Sequence, residues 1–186
     1  MAKIKTLYII ITVLSSCLII TSVLSLYENS RPIKAQIDEA IKKFDVGFVK
    51  TVATQFYNNN LYVFYETSKG TVKIVLVKSN ALETMKVEAV IGETPMYSER
   101  DVTWHGIGNA APGDTELLYG IIFDPLVSQL ILESEDDQMA HIFKIDEEKS
   151  VWYKFLDNDL STPIIITGTD KKGKEMFYYG PYRGEK

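Results

Sequence analysis

The sequence predicts a mainly β protein. An N-terminal transmembrane helix and a short amphipathic helix precede an antiparallel β-sandwich or partly closed barrel. Three observations predict this. Residues 7–27 carry no charge. Ile33, Ile37, Ile41 and Phe44 then recur at helical spacing. Beyond residue 48, short aromatic and β-branched runs alternate with breaks rich in Asn, Asp and Gly at roughly 8–12 residue spacing, the pattern of antiparallel sheets.

The apolar segment comes first. Its 21 residues make a helix of about 31 Å, enough for a hydrocarbon core of about 30 Å. Lys3 and Lys5 precede it, so the N-terminal residues 1–6 are expected on the cytoplasmic side and the rest outside. Tyr8 and Tyr27 stand near its two ends, as interfacial anchors do. An uncleaved signal anchor fits best. Two other fates also fit. Val23-Leu24-Ser25 offers the small residues of a signal-peptide cleavage site. Leu14-Ser15-Ser16-Cys17 resembles a lipobox, with Cys17 as the lipidated residue, although Leu18-Ile19-Ile20 continues the apolar run where lipoproteins turn polar. Cys17 is the single cysteine, so no disulfide forms within the chain and the domain depends on its core.

Residues 28–46 form a linker and the amphipathic helix. Pro32 suits a first helical turn. The four apolar residues share one face over residues 32–44, and Gly47 breaks the pattern, although Phe48, Val52 and Phe56 would continue the stripe. The helix packs on the domain as a stalk or docks a partner beside the membrane.

The domain proper is placed at residues 47–180, with a tail at 181–186. Strands are expected at 49–56, 61–65, 72–78 and 85–91. Asn58-Asn59-Asn60 and Ser68-Lys69-Gly70 supply the first two turns, because Asn and Gly tolerate left-handed backbone. Together these four strands read as an antiparallel meander. Residues 92–115 lack periodicity and hold Gly, Pro, Asp and Asn, which marks a long, functional type of loop. Strands resume at 116–123, 127–132, 139–145, 151–155, 163–169 and 175–179.

Four phrases, LYVFYET (61–67), LLYGIIFDP (117–125), VWYKF (151–155) and TGTDKKGKEMFYY (167–179), resemble small, uncharacterised membrane-anchored or secreted β-domain proteins of bacilli and their relatives. The resemblance implies an extracytoplasmic β domain and no particular chemistry.

Composition narrows the partners. Of 20 basic residues only Lys3 and Lys5 precede residue 28, so the remaining 18 face 25 acids, a net of −7. Nucleic acid, which needs Lys and Arg against its phosphates, is not an expected partner. Membrane lipid, through residues 7–27, and an envelope protein are.

No G-x-S-x-G, P-loop or G-x-G-x-x-G occurs, and neither metal nor cofactor is implied. His141 lies in a strand-like run. His105 is flanked by Gly106 and Gly108 and is the one candidate base, with Asp101 or Asp114. Asp157-Asn158-Asp159 and the run from Glu133 to Asp137 offer oxygen ligands without EF-hand spacing, and read as solvated turns. Aromatic residues favour binding surfaces. Trp104, His105 and Tyr97, all in the long loop, are therefore the candidate binding residues. The run Tyr178-Tyr179-Gly180-Pro181-Tyr182 is a further aromatic surface, whereas Trp152 and Tyr178 suit the core. The expected function is that of a non-enzymatic binding or accessory module of the cell envelope. A wall-active hydrolase using His105 and a regulatory subunit acting through helix 7–27 are the alternatives.

Overall fold

Sheet strands that are apolar on both faces need cover on both sides, and this requirement organises the chain. The computed structural model describes residues 13–16, 31–79, 84–108, 112, 115–158, 160 and 162–182. Most of the segment 7–27, Cys17 included, lies outside the described residues; residues 13–16 are helical. Among the described residues no helix is long and apolar enough to cross a membrane.

Helix α1 (Ile33–Phe44) follows Pro32. Its Ile37, Ala40 and Ile41 are buried, while Ile33 and Phe44, expected on the same face, are exposed at its two ends. The helix ends before Gly47: the backbone is already extended at Asp45, and Phe48 opens a strand.

Twelve strands follow among the described residues, in three four-stranded antiparallel sheets. Sheet A is the predicted meander, β1 (Phe48–Tyr57), β2 (Asn60–Thr67), β3 (Thr71–Ser79) and β4 (Met85–Pro95), in that order. Its turns are those read from the sequence: Asn58 and Asn59 adopt φ of 47° and 60°, and Gly70 adopts 71°. Sheet B has the order β5-β6-β10-β9, from β5 (His105–Ile107), β6 (Glu116–Ile122), β9 (His141–Lys144) and β10 (Ser150–Leu156). Sheet C has the order β12-β11-β7-β8, from β7 (Gln129–Leu132), β8 (Gln138–Met139), β11 (Ile166–Thr169) and β12 (Glu175–Tyr179).

The buried side chains show how these layers stack. On β2 and β3, Leu61, Val63, Tyr65, Val75 and Val77 pack against Ile37 and Ile41 of the helix. The alternate residues Tyr62, Phe64, Val72, Ile74 and Leu76 pack against Leu117, Tyr119, Ile121, Val151, Tyr153 and Phe155 of sheet B. On the reverse of sheet B, Leu118, Ile122, Trp152 and Leu156 meet Leu130, Leu132 and Ile166 of sheet C. The order of layers is therefore helix, sheet A, sheet B, sheet C. Successive side chains of a strand point to opposite faces, so β2, β3, β6 and β10 must be apolar at almost every position.

Aromatic rings fill the space between sheets A and B. Phe64 stacks on Tyr153 and Tyr57 on Phe155, each pair with centroids 4.5 Å apart. The tyrosine hydroxyls find partners across the same interface. Tyr153 Oη donates to Gln55 Oε1 at 2.9 Å, Tyr57 Oη donates to the Leu156 carbonyl at 3.0 Å, and the hydroxyls of Tyr62 and Thr115 bond each other. A fully buried large apolar side chain contributes about 1.5–3 kcal/mol, provided that such polar atoms are matched.

The mainly β, sandwich-like antiparallel fold is as expected, built as three stacked sheets. Two expectations are corrected. Residues 92–115 are not wholly irregular: β4 runs to Pro95 and β5 forms at His105–Ile107. The strand expected at 139–145 is two strands in two sheets, since Ala140 carries the chain from sheet C to sheet B, with its N–H on Leu130 O at 2.9 Å.

Two sites generate tests of this stack. A Cβ on Gly120 would lie 1.9 Å from the Thr103 carbonyl oxygen and 2.7 Å from Trp152 Nε1, which donates to that same oxygen. Gly120→Ala must displace backbone and is expected to destabilise by about 3 kcal/mol or more, read as a fall in the urea midpoint followed by tryptophan fluorescence.

At the end of α1, Asp45 Oδ2 accepts from Lys73 Nζ at 2.7 Å and from Tyr65 Oη at 2.9 Å, and Oδ1 accepts from Gly47 N at 2.8 Å. The Lys73 ammonium, with the Gly47 amide and the Tyr65 hydroxyl, holds the Asp45 carboxyl below its usual 3.8, although burial opposes the shift. A depressed folded pKa stabilises above the unfolded value, and the benefit is lost as pH falls through the folded value. Wild-type stability should therefore drop as pH falls below about 4, and Asp45→Asn should flatten that acid limb while lowering stability near neutrality by about 1–3 kcal/mol. Urea midpoints measured across the acid range check both effects.

Candidate functional site

The segment after β4 is fixed to the edge of β6 before it reaches Trp104. The Asp101 carbonyl accepts from Phe123 N at 2.7 Å, Val102 bridges Ile122, and Thr103 N donates to Ile121 O at 2.9 Å. The Thr103 carbonyl takes the indole N–H of the fully buried Trp152 at 2.9 Å. β5 then pairs with β6, His105 opposite Tyr119 and Ile107 opposite Leu117. Trp104 is thus held between two clamped stretches.

Neighbours in a strand point to opposite faces, and this separates the two candidates that are adjacent in sequence. Trp104 is half-buried on the sheet C side, packed on the cluster of Trp152, Leu130 and Ile166. Its indole meets the Tyr179 ring edge-on, with centroids 5.1 Å apart and planes at 62°. His105 is exposed on the other side, with its ring over Tyr119 at 5.4 Å. Burial pushes the Tyr119 hydroxyl above its ordinary value.

Trp104 and Tyr179 form two walls of a groove of about 470 Å³, completed by Thr162, Pro163, Ile164, Gly180 and Pro181. The Thr162–Pro163 bond is cis. Gly180 is required here by close approach. A Cβ would lie 2.6 Å from the Tyr178 hydroxyl, which donates to the Pro181 carbonyl at 2.8 Å and so holds the rim. Among the described residues the lining is aromatic, proline and aliphatic, with a hydroxyl at Thr162 and no ionisable side chain except the Tyr179 phenol.

The structure therefore joins Trp104 to the C-terminal aromatic run and leaves out the other two candidates. Tyr97 is 75% exposed, just beyond Pro95, which pairs with Thr71 at the hairpin end of sheet A. Asp101 serves through its backbone carbonyl, and Asp114 lies outside the described residues. Among the described residues neither His105 nor His141 makes an ion pair. His141 sits in β9 against Tyr153, centroids 5.3 Å apart.

No group of three His, Cys, Asp or Glu side chains that could hold a metal occurs among the described residues. The acidic turns have structural partners instead, Glu133 accepting from Thr167 Oγ1 and Asp157 accepting from Tyr57 Oη.

Pro163 and Ile164 were missed as groove residues because 163–169 reads as a strand. The strand begins only at Ile166. The available signal was Pro163 itself, which cannot donate to a sheet ladder.

No family model, no curated protein and no solved structure matches the chain.

The edge-on pair should be energetically coupled. A double-mutant cycle of Trp104→Phe with Tyr179→Leu is expected to give an interaction energy of about 0.5–1.5 kcal/mol, measured from urea unfolding of the four proteins.

Proposed function

We propose that the chain is a non-enzymatic binding module of the cell envelope, anchored by a membrane helix at residues 7–27 with its β domain outside the cytoplasmic membrane. The observation that carries the binding reading is the Trp104–Tyr179 groove. Tyr and Trp supply large, rigid contact area with little entropy to lose, which is why they concentrate at recognition surfaces. Pro163 and Pro181 in the lining restrict the backbone and keep that surface preformed. The lining favours a largely apolar segment of a protein partner.

The anchoring reading is supported by the uncharged 21-residue segment and the two lysines before it. A hydrolase is less well supported. Its candidate base His105 faces away from the groove and makes no ion pair among the described residues.

Cross-linking in intact cells, followed by membrane extraction and identification of the attached protein, tests the reading. One dedicated envelope protein is expected, and Trp104→Ala or Tyr179→Ala should reduce its capture by about tenfold or more, the effect of losing a binding hot spot, with the urea midpoint showing that each variant is folded. Capture unchanged in both folded variants removes the groove from the binding function. Recovery of wall glycan in place of protein replaces the proposed partner class.

A further inference from the structure

The chain enters the domain at one corner of sheet A, and that corner is apolar. Helix α1 runs antiparallel to β1. Its first residues Ile33 and Lys34 line a groove of about 350 Å³ with Val52, Thr54 and Phe143, while its far end is tied by Asp45 to Lys73. Phe56 is paired with Leu61, whose side chain belongs to the helix-side cluster. Partners in a ladder share a face, so Phe56 projects on the helix side of sheet A, beyond the first helical turn. Ile33 is 62% and Phe56 68% exposed.

The acids of this corner are matched by cations. Asp38 accepts from Thr51 Oγ1 at 2.6 Å and pairs with Lys34 at 3.9 Å, and Glu39 is held by Arg31 and Lys43, both at 2.6 Å. The domain's net negative charge is therefore not concentrated where the chain enters. Length supplies the occupant. Tyr27, the last residue of the uncharged segment, is six residues from Ile33, and that span covers at most about 20 Å.

We propose that this corner, centred on Ile33 and Phe56 with Lys34 beside them, docks into the lipid interface of the bilayer that holds residues 7–27. The inference rests on the membrane-anchor reading above. An apolar face so tethered buries by about 5–10 Å at the headgroup boundary, and a flanking lysine keeps its ammonium in the headgroups. Val46, fully exposed just past the other end of α1, lies about 18 Å or more from Ile33 along the helix and faces water.

The test uses the full-length chain carrying Cys17→Ala and one new cysteine, Phe56→Cys, Ile33→Cys or Val46→Cys. Each protein is labelled with an environment-sensitive fluorophore and reconstituted in phosphatidylcholine vesicles with brominated acyl chains. Both new sites at the corner are exposed, so folding should tolerate them. Expected are flotation of the protein with the vesicles after an alkaline wash, and quenching at positions 33 and 56 about twofold or more stronger than at 46. A chain that does not float overturns the anchor and the docking with it. A chain that floats with equal quenching at 56 and 46 overturns the docking alone. A disulfide-linked dimer of the unlabelled Phe56→Cys protein, formed in the same vesicles under oxidising conditions, assigns the face to a second copy and also overturns it.

Discussion

The two central strands of sheet B have no solvent face, and the rest of the structure depends on that constraint. β6 and β10 present Leu117, Tyr119, Ile121, Val151, Tyr153 and Phe155 to sheet A and Leu118, Ile122, Trp152 and Leu156 to sheet C. Two strands that are greasy on both sides cannot be covered by one partner sheet. Sheets A and C are the cover, and sheet A in turn needs α1 over Val63, Tyr65 and Val75. The close seat of Gly120 under Thr103 follows from the same packing, because the segment that delivers Trp104 passes over the strand where any side chain would hold it off.

How much of this was legible depended on whether the signal was local. The meander of sheet A could be read residue by residue, since Asn58, Asn59 and Gly70 mark its turns and hairpins pair neighbours. The third sheet could not. Alternation distinguishes inside from outside only when one face is wet, and the run from Leu117 to Ile122 has no polar beat to follow. The break at Ala140 was silent for a related reason: Gln138-Met139 and the run from His141 to Lys144 both suit a strand, and nothing local tells one strand from two in different sheets.

The groove shows the same division. Trp104 stood out because its loop gave little reason to bury a large ring, and the aromatic run ending at Tyr182 stood out by composition. Their meeting is a matter of register. It follows from β5 pairing His105 with Tyr119 and from β12 lying at the edge of sheet C, neither of which is written locally. Adjacency in sequence places His105 beside Trp104, whereas the two side chains lie on opposite sides of the sheet. Tyr97 was grouped by the same loop and lies at the hairpin end of sheet A.

The order in which strands occupy the sheets has a consequence for how the molecule is made. Everything in α1 and sheet A comes from one unbroken stretch, Ile33 to Pro95, joined by short connections. Sheets B and C are interleaved: the chain visits B at β5 and β6, C at β7 and β8, B at β9 and β10, and C again at β11 and β12. Sheet B is not complete until β10 arrives, and sheet C not until β12. Local contacts form early and distant ones late, and a chain that emerges N-terminus first exposes its contiguous part first. The inner face of sheet A, with Tyr62, Phe64, Ile74 and Leu76, therefore waits bare until β6 and β10 reach it. During that interval the half-made protein has an open greasy sheet, and this is when a chaperone has the most to protect.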